Sequence, residues 1–270
     1  LGWIARVIDL LPAYKTGHAM QLDAAKSSIP NASQTVVSTD PPYYDNVPYS
    51  NLSDFFYIWM RPCLRQVFPD IFATRQTPKA DELVASHSLY EDIDDAMRHF
   101  TDGMTLALRQ MHAKSNESVP VTIYYAFKQS DTGASGTASS GWESFLESVI
   151  KAEFVITGTW PVRTERSSRG RAIGSNALAS SIVLVCRKRD KDAQTISRRE
   201  FQRELKDQLA EALDVMIGGA EGVSPVAPVD LAQAVIGPGM AIFSKYSAVL
   251  EADGSPMTVH TALTIINKML

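Results

Sequence analysis

The 270-residue chain is poor in the residues that mark a stapled or metal-bound fold. It has two cysteines, Cys63 and Cys186, too few and too far apart for a disulfide framework or a four-thiolate zinc site. Both read as buried apolar side chains. The five histidines (His18, His87, His99, His112 and His260) include no H-x-x-x-H pair, and none stands beside a carboxylate pair at ligand spacing, so no metal site is expected. No apolar run approaches the roughly 18 residues needed to cross a bilayer. No basic-then-apolar leader opens the chain, so the reading is a cytoplasmic protein with no membrane partner. Positive charge is also in short supply. The formal net charge is -4, so any binding to nucleic acid must come from a local patch.

What is present is an ordinary globular composition, 45% hydrophobic and 21% charged, enough for one large domain or one domain with an appendage. Leu1 leads directly into an apolar helical pattern through Leu11, which reads as a segment cut from a longer protein. A short stretch from His18 to Ala24 and a polar turn lead to Thr35-Val36-Val37-Ser38-Thr39. These β-branched residues predict a buried strand stopped by Asp40-Pro41-Pro42. A Tyr-, Asn- and Pro-rich loop (43–51) precedes a helix expected over 52–68. Met97, Phe100, Met104, Leu108 and Met111 recur at steps of three and four and mark a long amphipathic helix from Ile93.

A strand is expected over 121–127, then a Ser/Thr/Gly-rich flexible loop (129–141). Trp142, Phe145, Leu146, Val149 and Ile150 predict a helix face, followed by strands over 154–160 and 181–186. Ser197-Arg198-Arg199-Glu200 is a capping box opening a charged helix to about Met216. Beyond a Gly/Pro-rich break the remainder reads as helical, with Ser255-Pro256 as a second helix start. The alternation predicts an α/β fold: a mostly parallel sheet whose last two strands are antiparallel, over 1–190, and a helical extension over 191–270.

One tetrapeptide stands out, Asp40-Pro41-Pro42-Tyr43, which a chain of this length would contain by chance about once in a thousand sequences. It follows a strand, and in open α/β sheets the ligand crevice lies beyond the carboxyl ends of the strands. Its chemistry suits an amino group on a planar ring. Such an NH2 needs two acceptors, which the Asp40 carboxylate and the Pro41 carbonyl supply, while the prolines have no N–H to compete. Tyr43 offers an aromatic platform for a base taken out of its stack. An Asp-Pro turn with a tyrosine packed beneath it is the plain structural alternative.

The tetrapeptide resembles the catalytic motif of S-adenosylmethionine-dependent amino-methyltransferases. The longer run through Tyr44-Asp45-Asn46-Val47, with Ser53-Asp54-Phe55-Phe56-Tyr57 behind it, is similar to the large prokaryotic adenine-specific DNA methylases, many of which carry a zinc ribbon elsewhere. Gly141-Trp142-Glu143, Thr159-Trp160-Pro161-Val162-Arg163-Thr164-Glu165 and the run from Gly174 to Cys186 extend the resemblance. It implies part of a Rossmann-like fold in which residues 35–39 are the fourth strand, 121–127 the fifth, and the last two an antiparallel edge. It implies methyl transfer to the exocyclic amino group of a flipped adenine, with Asp40, Pro41, Pro42 and Tyr43 as catalytic residues.

Asp23 falls where the family places an acidic residue near the cofactor's adenine, with a solvated loop aspartate as the alternative. Lys128 and Gln129 would end the fifth strand near the cleft. Arg163, Arg166, Arg169 and Arg171 stand against only Glu165 and suit phosphate contacts beside the pocket, or a solvated hairpin. The acidic stretch 81–102 would repel phosphate and reads as a face turned from DNA. The partners implied are DNA and other subunits of a modification or defence system. The family's glycine-rich turn, which holds the methionine part of the cofactor, has no counterpart in the chain. The expectation is therefore an incomplete and inactive piece that binds S-adenosylmethionine weakly or not at all. Transfer to cytosine N4, to RNA or to a protein glutamine, and a non-catalytic module binding nucleic acid or a partner, remain as alternatives.

Overall fold

A computed structural model describes residues 2–11, 20–26, 35–44, 47–85, 90, 92–125, 140–163, 180–217 and 228–269. After helix α1 (Gly2–Leu10), strand β1 (Ser38–Thr39) precedes helices α2 (Tyr49–Leu64) and α3 (Ile93–Lys114). Strand β2 (Val121–Tyr125), helix α4 (Ser140–Lys151) and strands β3 (Phe154–Arg163) and β4 (Ser180–Lys188) follow. The chain continues through β5 (Thr195–Ser197), α5 (Arg198–Ile217), α6 (Pro228–Lys245), β6 (Ala248–Leu250) and α7 (Val259–Met269).

The architecture is α/β. Four strands form one sheet in the order β1-β2-β4-β3. β1 and β2 are parallel, with Ser38 opposite Thr122 and Thr39 opposite Ile123, and an isolated parallel bridge joins Thr35 to Ser115. β4 runs antiparallel to both β2 and β3. β1, β2 and β3 thus share one direction and β4 opposes them. The sheet is mixed, with three strands in one direction, and the last two strands, β3 and β4, pair antiparallel as expected, β4 lying inserted beside β2. The C-terminal ends of β1, β2 and β3 consequently lie at the same end of the sheet.

The long elements follow their side-chain periods. α3 is capped by Asp92, whose carboxylate accepts the Asp94 N–H at 3.0 Å, and carries Asp94 and Asp95 in its first turn and His112 and Lys114 in its last. Its inward stripe of Ala96, Phe100, Met104 and Leu108 is buried. α4 buries Trp142, Phe145, Leu146 and Val149. Gly141, expected in a loop, stands in the first turn of α4, where a Cβ would meet the Tyr44 side chain at 2.7 Å. Only a bare Cα fits there.

The region after β4 is not helix alone. β5 and β6 form a parallel two-stranded sheet, too short to show any alternation in the sequence. The capping box at Ser197 is formed: its N–H and Oγ reach Glu200 at 2.8 Å, and the Glu200 N–H returns to Ser197 Oγ at 3.3 Å. α7 begins at Val259, later than the expected start at Ser255-Pro256. Thr258 Oγ1 accepts the Thr261 N–H, while Pro256 bridges back to Leu250. Gly237 and Gly239 lie inside α6, where the first seats the helix on Thr159 of β3 and the second on Ile266 of α7. Ser244 Oγ accepts the Ile156 N–H at 2.9 Å. One apolar core runs from the sheet and α3–α4 through Phe201, Leu205, Met240, Val249, Leu263 and Ile266 of the C-terminal region.

Two helices behave differently. α1 buries no residue, and α2 buries only Tyr57. Trp3 and Leu10 are 80% and 82% exposed, and Phe55 and Trp59 of α2 are 65% and 68% exposed. Cys63, expected to be buried, is exposed on α2, whereas Cys186 on β4 is buried and its thiol is pushed up to about 12 by desolvation.

Candidate functional site

Asp40 follows the last residue of β1 and is exposed at the end of the sheet, while Pro41 is buried and Pro42 and Tyr43 are half-buried. The segment is held by what comes next. Tyr44 is buried with its ring edge-on to Phe100 at 5.1 Å. Its N–H donates to the Tyr125 hydroxyl at 3.1 Å, and its carbonyl accepts the Ala85 N–H at 2.6 Å. Tyr125, the last residue of β2, stacks on Phe145 at 4.0 Å and meets the Tyr43 ring edge-to-face at 5.4 Å. An aromatic column rooted in the core thus braces the motif tyrosine from the neighbouring strand.

Tyr49, the first residue of α2, stands over the same segment. Its phenol lies near the Tyr43 backbone. Partial burial chiefly, then the charges of Asp40 and Glu82, hold its pKa above the ordinary tyrosine value, so it stays a neutral phenol. The start of α2 is clamped by Glu82, whose carboxylate accepts from the Ser50 N–H at 3.0 Å and from the Ser50 hydroxyl. A carboxylate there meets amides that have no partner within the helix. Glu82 therefore belongs beside the motif and not to a face turned away from it. The rest of the polar side of α2 is spent on residues 72–79. Asp54 accepts from the Lys79 ammonium at 2.6 Å and the Thr77 N–H at 2.8 Å, Tyr57 donates to the Thr74 carbonyl, and Arg61 to that of Phe72.

Asp23 lies on an exposed turn. Its carboxylate accepts the Ala25 N–H at 2.9 Å and pairs with Lys26 at 3.0 Å, which lowers its pKa. No hydrogen bond joins it to residues 40–43 among the described residues. Arg163 is the last residue of β3, opposite Ser180 of β4. Arg166, Arg169 and Arg171 lie outside the described residues, as do Lys128 and Gln129. Gly141-Trp142-Glu143 lies under the site: Gly141 against Tyr44, Trp142 beside Tyr125, and Glu143 bound to His260 Nδ1 at 2.9 Å.

Among the described residues no group of three His, Cys, Asp or Glu could hold a metal ion, and no helix is long and apolar enough to cross a membrane. Nor do the described residues make a cradle for S-adenosylmethionine. No described glycine stands in a turn after a strand of the four-stranded sheet, the one such turn among the described residues being that of Gly254 after β6, and the Asp23 carboxylate is already engaged. Tyr49, Glu82 and Tyr125 are site residues that the motif alone does not indicate. Tyr49 stood in the Tyr-rich loop and Tyr125 in a strand, with no spacing to join them to Asp40. The chain matches no protein-family model, no curated protein and no solved structure.

Proposed function

We propose that this chain forms the amino-group pocket of an S-adenosylmethionine-dependent DNA adenine N6-methyltransferase of partly Rossmann-like fold. The observation that carries the reading is the placement of Asp40-Pro41-Pro42-Tyr43. The motif leaves the C-terminal end of a strand paired in parallel with its neighbour, with Asp40 exposed and Tyr43 braced by Tyr125. The sheet order, with one reversed strand between β2 and β3, is consistent with the last four strands of such a fold.

In this reading the Asp40 carboxylate and the Pro41 carbonyl accept the two N–H bonds of the amino group, and the Tyr43 ring stacks on the base for about 1–3 kcal/mol. With both N–H bonds held, the nitrogen lone pair is free to face an electrophile. Positioning is then the main contribution of these residues. The methyl donor is held by residues outside those described, and no step through it is derived.

DNA is the proposed partner because of where the arginines attach. Arg163 and Ser180, the two ends of the connection that carries Arg166, Arg169 and Arg171, stand at the same end of the sheet as Asp40. Three strand spacings separate β1 from β3, about 14 Å. At 3.4 Å per nucleotide along one strand, that is about four nucleotides, so a base held at Asp40 and its flanking phosphates fit the same strand.

A second reading, a methyltransferase-like module that binds a partner, is favoured by the uncovered apolar faces of α1 and α2. A methylation assay of the full-length protein on DNA, with modified bases identified by mass spectrometry, separates the two. N6-methyladenine made by the wild type and lost in Asp40→Ala supports the enzyme. No methyladenine from either protein leaves the binding module.

A further inference from the structure

Helix α2 carries two charged residues, Asp54 and Arg61, and spends both within its own chain: Asp54 on Lys79 and Thr77, and Arg61 on the Phe72 carbonyl at 3.2 Å. Tyr57, on the same side, is buried. The opposite side is uncharged. Leu52, Phe55, Phe56, Trp59, Pro62 and Cys63 stand at i, i+3, i+4, i+7, i+10 and i+11, so they form one stripe along about 16 Å of helix. All six are exposed, Leu52 at 58% and Trp59 at 68%. A helix side built to face water shows the reverse pattern, with its polar residues outward. The spacing is that of a face packed against another helix.

We propose that this stripe is the contact between two copies of the chain, each laying its α2 on that of the other about a two-fold axis. Size is the first argument. A whole aromatic side chain covers about 150–250 Å2, so the stripe, with Ile58 and Met60 beside it and Val67 and Phe68 just beyond the helix, presents on the order of 1,000 Å2 of apolar surface. A standard interface takes about 800 Å2 from each partner, whereas the largest apolar patch on a monomer is about 300–600 Å2. Charge is the second argument. In a two-fold contact each residue near the axis meets its own copy, so a charged side chain there would face its like. The stripe holds none, and it offers a charged partner surface nothing to pair with. The face is also held ready. Ser50 is tied to Glu82 through its N–H at 3.0 Å, and the Thr77 hydroxyl reaches the Ser50 carbonyl and the Asp54 carboxylate at 2.7 Å, so little order has to be gained on pairing. The proposal does not depend on the amino-group reading above.

The test is analytical ultracentrifugation of the full-length protein, comparing wild type, the double substitution Phe55→Ser with Trp59→Gln, and Trp160→Gln, which removes an equally exposed ring (67%) from β3. Far-ultraviolet dichroism checks that both variants are folded. A wild-type dimer is expected, unchanged in Trp160→Gln. The α2 variant should raise its dissociation constant about a hundredfold or more, because each anchor lost is lost twice in a two-fold contact. Cys63 supplies a second measurement. It is exposed in the stripe while Cys186 is buried, so alkylation by iodoacetamide, read at the Cys63 peptide by mass spectrometry, reports cover over α2. In wild type the labelling rate should fall as protein concentration rises through the dimer range, and in the α2 variant it should stay constant. A monomer with Cys63 freely labelled leaves the stripe in water and overturns the proposal. A monomer with Cys63 protected at every concentration assigns the face to another segment of the same polypeptide and overturns it too. A dimer indifferent to the α2 substitutions, or one lost equally in Trp160→Gln, places the contact elsewhere and does the same.

Discussion

Tyr125 joins three parts of the molecule through one side chain. Its ring lies on Phe145 in the core, its edge supports Tyr43, and its hydroxyl takes the buried N–H of Tyr44. Tyr125→Phe keeps the first two contacts and orphans the third. The expected loss is about 1–3 kcal/mol, the cost of a buried donor without a partner, measured by urea denaturation. Gly141→Ala tests the same floor from below. Tyr44 is fixed by Ala85 and Tyr125 and cannot retreat from an added Cβ, so overpacking should cost about 1–3 kcal/mol in the same assay. A variant as stable as wild type would mean that Tyr44 moves freely and that the motif is not held through it. At this scale Asp40 to Tyr43 were legible because prolines after a strand are rare enough to notice. Tyr49 and Glu82 were not, because they reach the motif through tertiary folding.

α2 shows how one element can be turned inside out. Its polar side is consumed by the 72–79 segment, which leaves an apolar side facing outward. The hinge of this arrangement is Asp54, whose carboxyl is held at about 2, first by the Lys79 hydrogen bond and then by those of Thr77. An unfolded aspartate titrates near 3.9. The folded value is the lower of the two, so this contribution to stability is complete above about pH 4 and fades as pH falls through 2. Wild type should therefore lose stability faster than Asp54→Asn between pH 4 and pH 2, and parallel pH profiles would rule the pairing out. The outward side makes a separate prediction. Phe55→Ser with Trp59→Gln should reduce self-association in analytical ultracentrifugation without lowering the melting temperature, because neither ring is buried.

The long helices were legible from periodicity: α3 from its methionine and phenylalanine stripe, and α5 from its capping box. α2 starts at Tyr49, ahead of the expected 52, because Glu82 stands in for a cap that the local sequence lacks. β5 and β6 escaped notice because three residues carry no period and their pairing spans half a hundred positions of chain. The insertion of β4 beside β2 could not be read from residue order either, since a hairpin with β3 is equally served by either edge of the sheet.

Whether the C-terminal region is an appendage is decided at the scale of the whole molecule. α6 lies on β3 through the close approach of Gly237 to Thr159, and Ser244 supplies the acceptor for the buried Ile156 N–H. Arg189, just past β4, donates to the carbonyls of Ile150 and Tyr246 and so ties the end of α4 to the end of α6. A core shared in this way should unfold as one unit. Urea transitions followed by tryptophan fluorescence, which changes chiefly as the buried Trp142 beside the site is exposed, and by far-ultraviolet dichroism, which reports all the helices including α5–α7, should coincide in midpoint. Truncation after residue 190 should then leave no folded pocket, because it strips the cover from β3 and orphans Ile156. Separate transitions, or a truncated chain with the wild-type near-ultraviolet spectrum, would make the C-terminal region dispensable to the site. Coincident transitions would place α5–α7 among the elements that hold Asp40 and Tyr43 in position, at a distance from any chemistry of their own.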